Sequence, residues 1–137
     1  MTAIATPAAT RTTSRAAGAG LWTLQVLLAA VYAFSAFGKL TADAQNVAGF
    51  EAMGLGVPGM YLIGALELAG AIAMFVPALT GLAAACFVAL MIGAVIITAA
   101  IGGGALVAIP ATVGVVAAVV AWGRRDSTRR LVARVRR

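Results

Sequence analysis

The chain has 137 residues, 63% hydrophobic and 10% charged, with a formal net charge of +6 and a mean hydropathy of +1.05. Water-soluble domains carry about 25% charged residues, so the composition excludes an ordinary soluble domain and points to an integral membrane protein. With no histidine and a single cysteine, Cys86, the chain by itself excludes histidine-ligated haem or zinc, Ser/His catalysis and an internal disulfide.

Residues 1–19 are rich in Ala and Thr, carry Arg11 and Arg15 and hold no acid. They read as a mobile basic segment on the cytoplasmic side. The first membrane span is predicted over 21–37, with Trp22 as an interfacial aromatic and Gln25, Tyr32 and Ser35 among its polar residues. A cleaved leader is the competing reading, because Arg15, an apolar stretch and the small residues Ala33 and Ser35 imitate one. The apolar run is long for a leader, and Gly38-Lys39 follows it.

The only sizeable loop, 39–57, contains Lys39, Asp43 and Glu51. Thr41 or Asp43 is a candidate helix cap. Val47, Phe50 and Met53 recur every third residue, which gives one apolar face. A short amphipathic helix is expected there, on the membrane surface or tucked over the bundle. Gly54, Gly56, Pro58 and Gly59 then turn the chain back.

From Ala52 to Gly123 the only charged residue is Glu67. The uncharged stretch 68–123 would be about 84 Å long as one helix at ~1.5 Å per residue, whereas a bilayer core is only ~30 Å thick. The run must therefore fold back. Pro77 and Gly81 break it once, and Gly102, Gly103 and Gly104 break it again. Spans are predicted over 58–76, 81–101 and 105–122. Gly81, Ala85, Ala89 and Gly93 recur every fourth residue. They form a smooth stripe suited to close helix packing inside the chain, with a homodimer seam as the alternative. Ala65, Ala69 and Ala73 repeat the pattern on the second span. Pro110 frees the carbonyl of Leu106, and a kink is expected there.

Seven of the ten basic residues, Arg124, Arg125, Arg129, Arg130, Arg134, Arg136 and Arg137, fall in the tail 124–137. They follow the last apolar run directly. That placement suits topology charges or anionic lipid rather than nucleic acid. Basic ends on both sides of the bundle, with a net negative first loop, require an even number of spans. The expected fold is all-α: an integral membrane four-helix bundle over 20–123, with both termini cytoplasmic and the short amphipathic helix in the first extracellular loop.

Two glycine motifs carry little. Gly54-x-Gly56-x-x-Gly59 matches a dinucleotide fingerprint by letter. No strand precedes it, Pro58 removes a donor, and no acid follows at the required distance. Gly38-Lys39 lacks the rest of a phosphate loop. Glu67 is different. A bare carboxylate in mid-membrane costs several kcal/mol, so it must be protonated, paired or hydrated. Lys39 is the one cation able to approach from the outer side. With the spans level, Glu67 would lie about 13 Å below it, at ~1.5 Å per residue. A cluster of Glu67 with Tyr32 and Ser35 is expected, and Lys39 joins only if the second span starts late or tilts. Such a cluster serves proton handling or headgroup binding, or it simply clamps helices together.

Phe37-Gly38-Lys39-Leu40 ends the first span. Gly54-Leu55-Gly56-Val57-Pro58 follows, and then a second span reading Ile63-Gly64-Ala65-Leu66-Glu67-Leu68-Ala69-Gly70. Over residues 20–122 this resembles the DoxX and DoxX-like family of small four-helix membrane proteins. The resemblance implies a bundle whose characteristic Lys and Glu correspond to Lys39 and Glu67. It also implies an association with quinone and thiol redox chemistry and with oxidative stress. The resulting expectation is a multi-pass protein of the bacterial inner or plasma membrane, not a complete enzyme alone. It would bind a quinone or similar lipid-soluble ligand near Glu67, anchor a redox partner protein, or both, with no metal and no covalent cofactor. Open alternatives are a small proton-coupled exporter acting as a dimer and a structural or assembly protein.

Overall fold

The computed structural model describes residues 10–136, with side chains from Arg15 onward. The elements are α1 (Thr10–Leu40), α2 (Ala44–Ala52), α3 (Gly56–Ala73), α4 (Thr80–Ala100), a 3-10 turn (Gly104–Val107) leading into α5 (Ala108–Gly123), and α6 (Arg125–Val135). The described residues hold no strand. Four stretches are long and apolar enough to cross a membrane: Arg15–Leu40, Gly56–Ala73, Thr80–Ala100 and Gly104–Gly123. Phe34, Phe37, Leu62, Ile72, Ile96, Ile109 and Val115 all point outward from these helices and are exposed. A surface this apolar on every span is one that lipid covers.

Residues 10–19 of the expected mobile basic segment form the first turns of α1. Their Ala and Arg are strong helix formers. Residues 1–9 of that expected segment lie outside the described residues. The basic tail is likewise helical. In α6, Asp126 sits in the first turn and Arg134 in the last, each complementing the helix dipole.

Three helices end in the same way. After α2, Gly54 takes φ 73°, Gly54 N–H donates to Glu51 O and Leu55 N–H to Phe50 O. After α4, Gly102 takes φ 74°, with bonds from Gly102 N–H to Ala99 O and from Gly103 N–H to Thr98 O. These are Schellman caps, which satisfy carbonyls that a helix end leaves open. At the end of α1 the left-handed position is held by Ala42, at φ 53°, with the matching bonds from Ala42 N–H to Lys39 O and from Asp43 N–H to Gly38 O. Asp43 occupies the N-cap position of α2, but its carboxylate accepts from Asn46 Nδ2 rather than from a backbone N–H.

The helices associate as two close pairs, α1 with α3 and α4 with α5, and the pairs touch each other less extensively. Glycines set both close approaches. A Cβ on Gly64 of α3 would lie 3.0 Å from Lys39 Cβ, and one on Gly114 of α5 would lie 3.1 Å from Met91 Cβ. The core combines Leu28, Ala29 and Tyr32 of α1 with Ala71 and Met74 at the end of α3, Ala83, Ala84 and Phe87 of α4, and Ala117 and Val120 of α5. It fills the half of the bundle nearer α6.

The expected stripe on α4 does not pack as one seam. Gly81 is buried, where a Cβ would meet Ser127 and Thr128 of α6 and the carbonyl of Arg124 just before it, but Ala85 and Ala89 are exposed and Gly93 faces open space. The buried face of α4 runs instead through Thr80, Ala83, Ala84 and Phe87, about one residue's rotation (~100°) away around a helix of 3.6 residues per turn. Ala65 and Ala69 of α3 are exposed as well. Pro110 does not interrupt a helix. It is the third residue of α5, in the first turn after the 3-10 segment, where a missing N–H removes no intrahelical bond.

Candidate functional site

The buried face of α3 is Met60, Gly64, Glu67 and Ala71, a spacing of three and four residues that turns Glu67 toward α1. There Lys39 Nζ lies 2.9 and 3.1 Å from the two Glu67 carboxylate oxygens and 2.5 Å from Ser35 Oγ. Ser35 and Lys39 stand one helical turn apart on α1, so a single ammonium reaches both. The side chains of Lys39 and Glu67 are only 11% and 4% exposed. The pair carries no net charge, which is how two ionisable groups persist inside a membrane-spanning bundle.

The sequence places Lys39 too far above Glu67 because it treats the two spans as level. In the structure Gly64, one turn before Glu67, lies against Lys39 and Leu40. The first two turns of α3 therefore rise past the end of α1. Ser35 joins the cluster through the ammonium rather than through the carboxylate. Tyr32 makes no hydrogen bond to the cluster: its ring stacks on Phe87 with centroids 3.5 Å apart and planes within 5°, and its hydroxyl has no partner among the described residues.

Lys39, Glu67 and Ser35 form the polar part of the wall of a cavity of about 500 Å³. The rest is almost wholly apolar and comes from five helices. Phe50 of α2 and Met53 just after it lie over it, Ile63 flanks the acid, and Ile97, Thr98, Ile109 and Val113 line the side formed by α4 and α5. Val47 and Phe50 of α2, and Met53 just after it, are among the residues turned inward, so this helix is tucked over the bundle. Gly93 and Pro110, read from sequence as packing and kink residues, border the same cavity. Gly64, Phe50 and Thr98 were not legible as site residues, since an apolar stretch does not reveal which face meets a cavity. Among the described residues, no three Cys, Asp or Glu side chains gather as metal ligands would.

Four apolar spans, with a neutral Lys–Glu pair in the wall of an apolar chamber, define a small multi-pass helical membrane protein. The sequence pattern of the DoxX-like family matches residues 23–120, and the chain belongs to that family. Searches of curated proteins and of solved structures found no match.

Proposed function

We propose that the chain is a DoxX-like membrane subunit that holds a quinone or similar lipid-soluble ligand in the chamber beside Lys39 and Glu67. The observation that carries this reading is a paired, largely buried Lys–Glu couple at the edge of an apolar cavity of about 500 Å³. Ligand pockets typically span about 300–1,000 Å³, with apolar walls and a few placed polar groups. A quinone ring needs donors for its carbonyl oxygens and an apolar lining for its ring and tail. The Ser35 hydroxyl, which accepts from Lys39, has its own hydrogen to give, and the ammonium beside it supplies positive potential. The quinone itself would supply the electron chemistry; the protein's groups orient its head and exclude water. A redox partner protein would dock outside the membrane, and the chain would not be a complete enzyme alone.

In this reading both termini are cytoplasmic and α2 lies on the outer face of the inner or plasma membrane, because the tail concentrates the Arg residues. Pairing with Lys39 weighs against the proton-coupled exporter, which requires an acid free to take and release protons.

The test is equilibrium binding of a short-chain ubiquinone analogue to the purified protein in detergent. Wild type binds saturably. Ser35→Ala and Glu67→Gln each weaken binding about tenfold or more, the effect of losing a hydrogen bond to, or within, a charged cluster. Wild-type affinity in both variants, or no saturable binding by wild type, sinks the reading.

A further inference from the structure

A second, smaller cavity of about 250 Å³ lies at the opposite end of the bundle, between the start of the first span, the α3–α4 loop and α6. It is far more polar than the chamber, and most of its polar groups are already committed. The Thr80 hydroxyl is 3.1 Å from Met74 O and 3.0 Å from Val76 O, and the Ser127 hydroxyl donates to Arg124 O. Asp126 is largely exposed and paired with Arg129 at 3.8 Å.

Three groups remain. Gln25 is 3% exposed; its Nε2 donates to Met74 O at 2.6 Å, which fixes the amide so that Oε1 is the free atom. That buried oxygen has no partner among the described residues. Arg124 Nε is also buried without a partner, and Arg130, in the same wall, makes no ion pair among the described residues. Gln25, with its unpartnered buried acceptor, and the two arginines all line this one small cavity. A buried polar atom left unpaired costs ~1–3 kcal/mol, so the wall is complementary to a ligand that brings an anion for the arginines and a hydrogen-bond donor for Gln25. Arginine favours planar, two-pronged contacts to phosphate. Trp22, 52% exposed, and Phe75 form the lip, which sets the cavity at the border of the apolar spans and the basic helix. Phospholipid phosphates occupy that level.

We propose that this cavity binds a phosphate ester whose organic part carries a hydroxyl or ammonium donor, the chemistry of a glycerophospholipid headgroup. Arg124 and Arg130 hold the phosphate, and Gln25 Oε1 accepts from the donor. The same chemistry occurs in soluble phosphate esters, so the source must be separated by experiment.

The full chain is reconstituted in vesicles of equal parts phosphatidylethanolamine, phosphatidylglycerol and phosphatidylcholine, extracted in mild detergent, and its retained lipids are counted by native mass spectrometry. Phosphatidylcholine has the phosphate but no N–H or O–H donor. Wild type retains each of the other two about tenfold over it, the ratio expected for one hydrogen bond to a buried acceptor. Gln25→Leu abolishes that preference. Arg130→Gln, a change at an exposed position that leaves packing intact, lowers retention of all three lipids. Displacement of retained lipid by millimolar glycerol 3-phosphate assigns the site to soluble esters, and resistance to it assigns the site to the bilayer; either result supports the proposed chemistry. Equal retention of the three lipids by wild type, or wild-type retention by both variants, overturns it.

Discussion

Lys39 and Glu67 are each tolerable in the membrane only because of the other. Replacing Lys39 with Met leaves a carboxylate at 4% side-chain exposure without its cation, and breaking a buried pair from one side costs about 3–5 kcal/mol. Lys39→Met is therefore expected to lower the melting temperature in detergent sharply. The double variant Lys39→Met/Glu67→Leu, which removes both charges, recovers most of that loss, because a well-packed apolar pair is often as stable as a buried ion pair. A double variant as unstable as the single one would show that the two residues are not coupled. Glu67 was legible in the sequence as the only charge between Ala52 and Gly123. Its partner was only half legible, because the relative height of two helices depends on where they touch. That contact, Gly64 against Lys39, is a tertiary fact that residue spacing does not carry.

Among the elements, helix ends and helix faces were legible to different degrees. Turns were marked by Gly54 and Gly102, and both glycines take the left-handed conformation that ends a helix. The packed faces were not marked. α4 is apolar on every side, so its periodicity is silent about which side meets protein. Every-fourth-residue spacing of small residues therefore matched a face that lies largely exposed. Two changes separate the glycines that matter from those that do not. Gly64→Val places atoms against Lys39 and Leu40, and is expected to cost about 1–3 kcal/mol, as overpacking does. Gly93→Ala meets nothing within 4 Å and is expected to be neutral or stabilising by up to about 1 kcal/mol through helix propensity. Ala42→Gly belongs with them: it relieves a left-handed alanine, and a gain of about 1 kcal/mol is expected from the strain removed. Thermal unfolding of the three variants in one detergent checks the order.

The whole molecule is two helix pairs joined by a core at one end and separated by a chamber at the other. Its basic helix α6 folds back under the start of α4, where Gly81 lets Ser127 and Thr128 approach closely. The proposed topology puts this helix in the cytoplasm. A membrane-impermeant thiol reagent applied to intact cells should leave a cysteine placed at the exposed position Val135 unlabelled, and should label it once the cells are opened. Labelling in intact cells would invert the bundle and place α2 inside.

The four spans are unequal: the stretches built from α1 and α3 are the two least apolar, and α4 and α5 the two most apolar. The weaker two are the ones joined by Lys39 and Glu67. During biosynthesis a solitary α3 would have to carry its acid into lipid unaided, whereas α1 leaves the ribosome first and brings the neutralising ammonium. An α3 inserted as the second arm of a hairpin with α1 therefore meets a smaller barrier than one inserted alone.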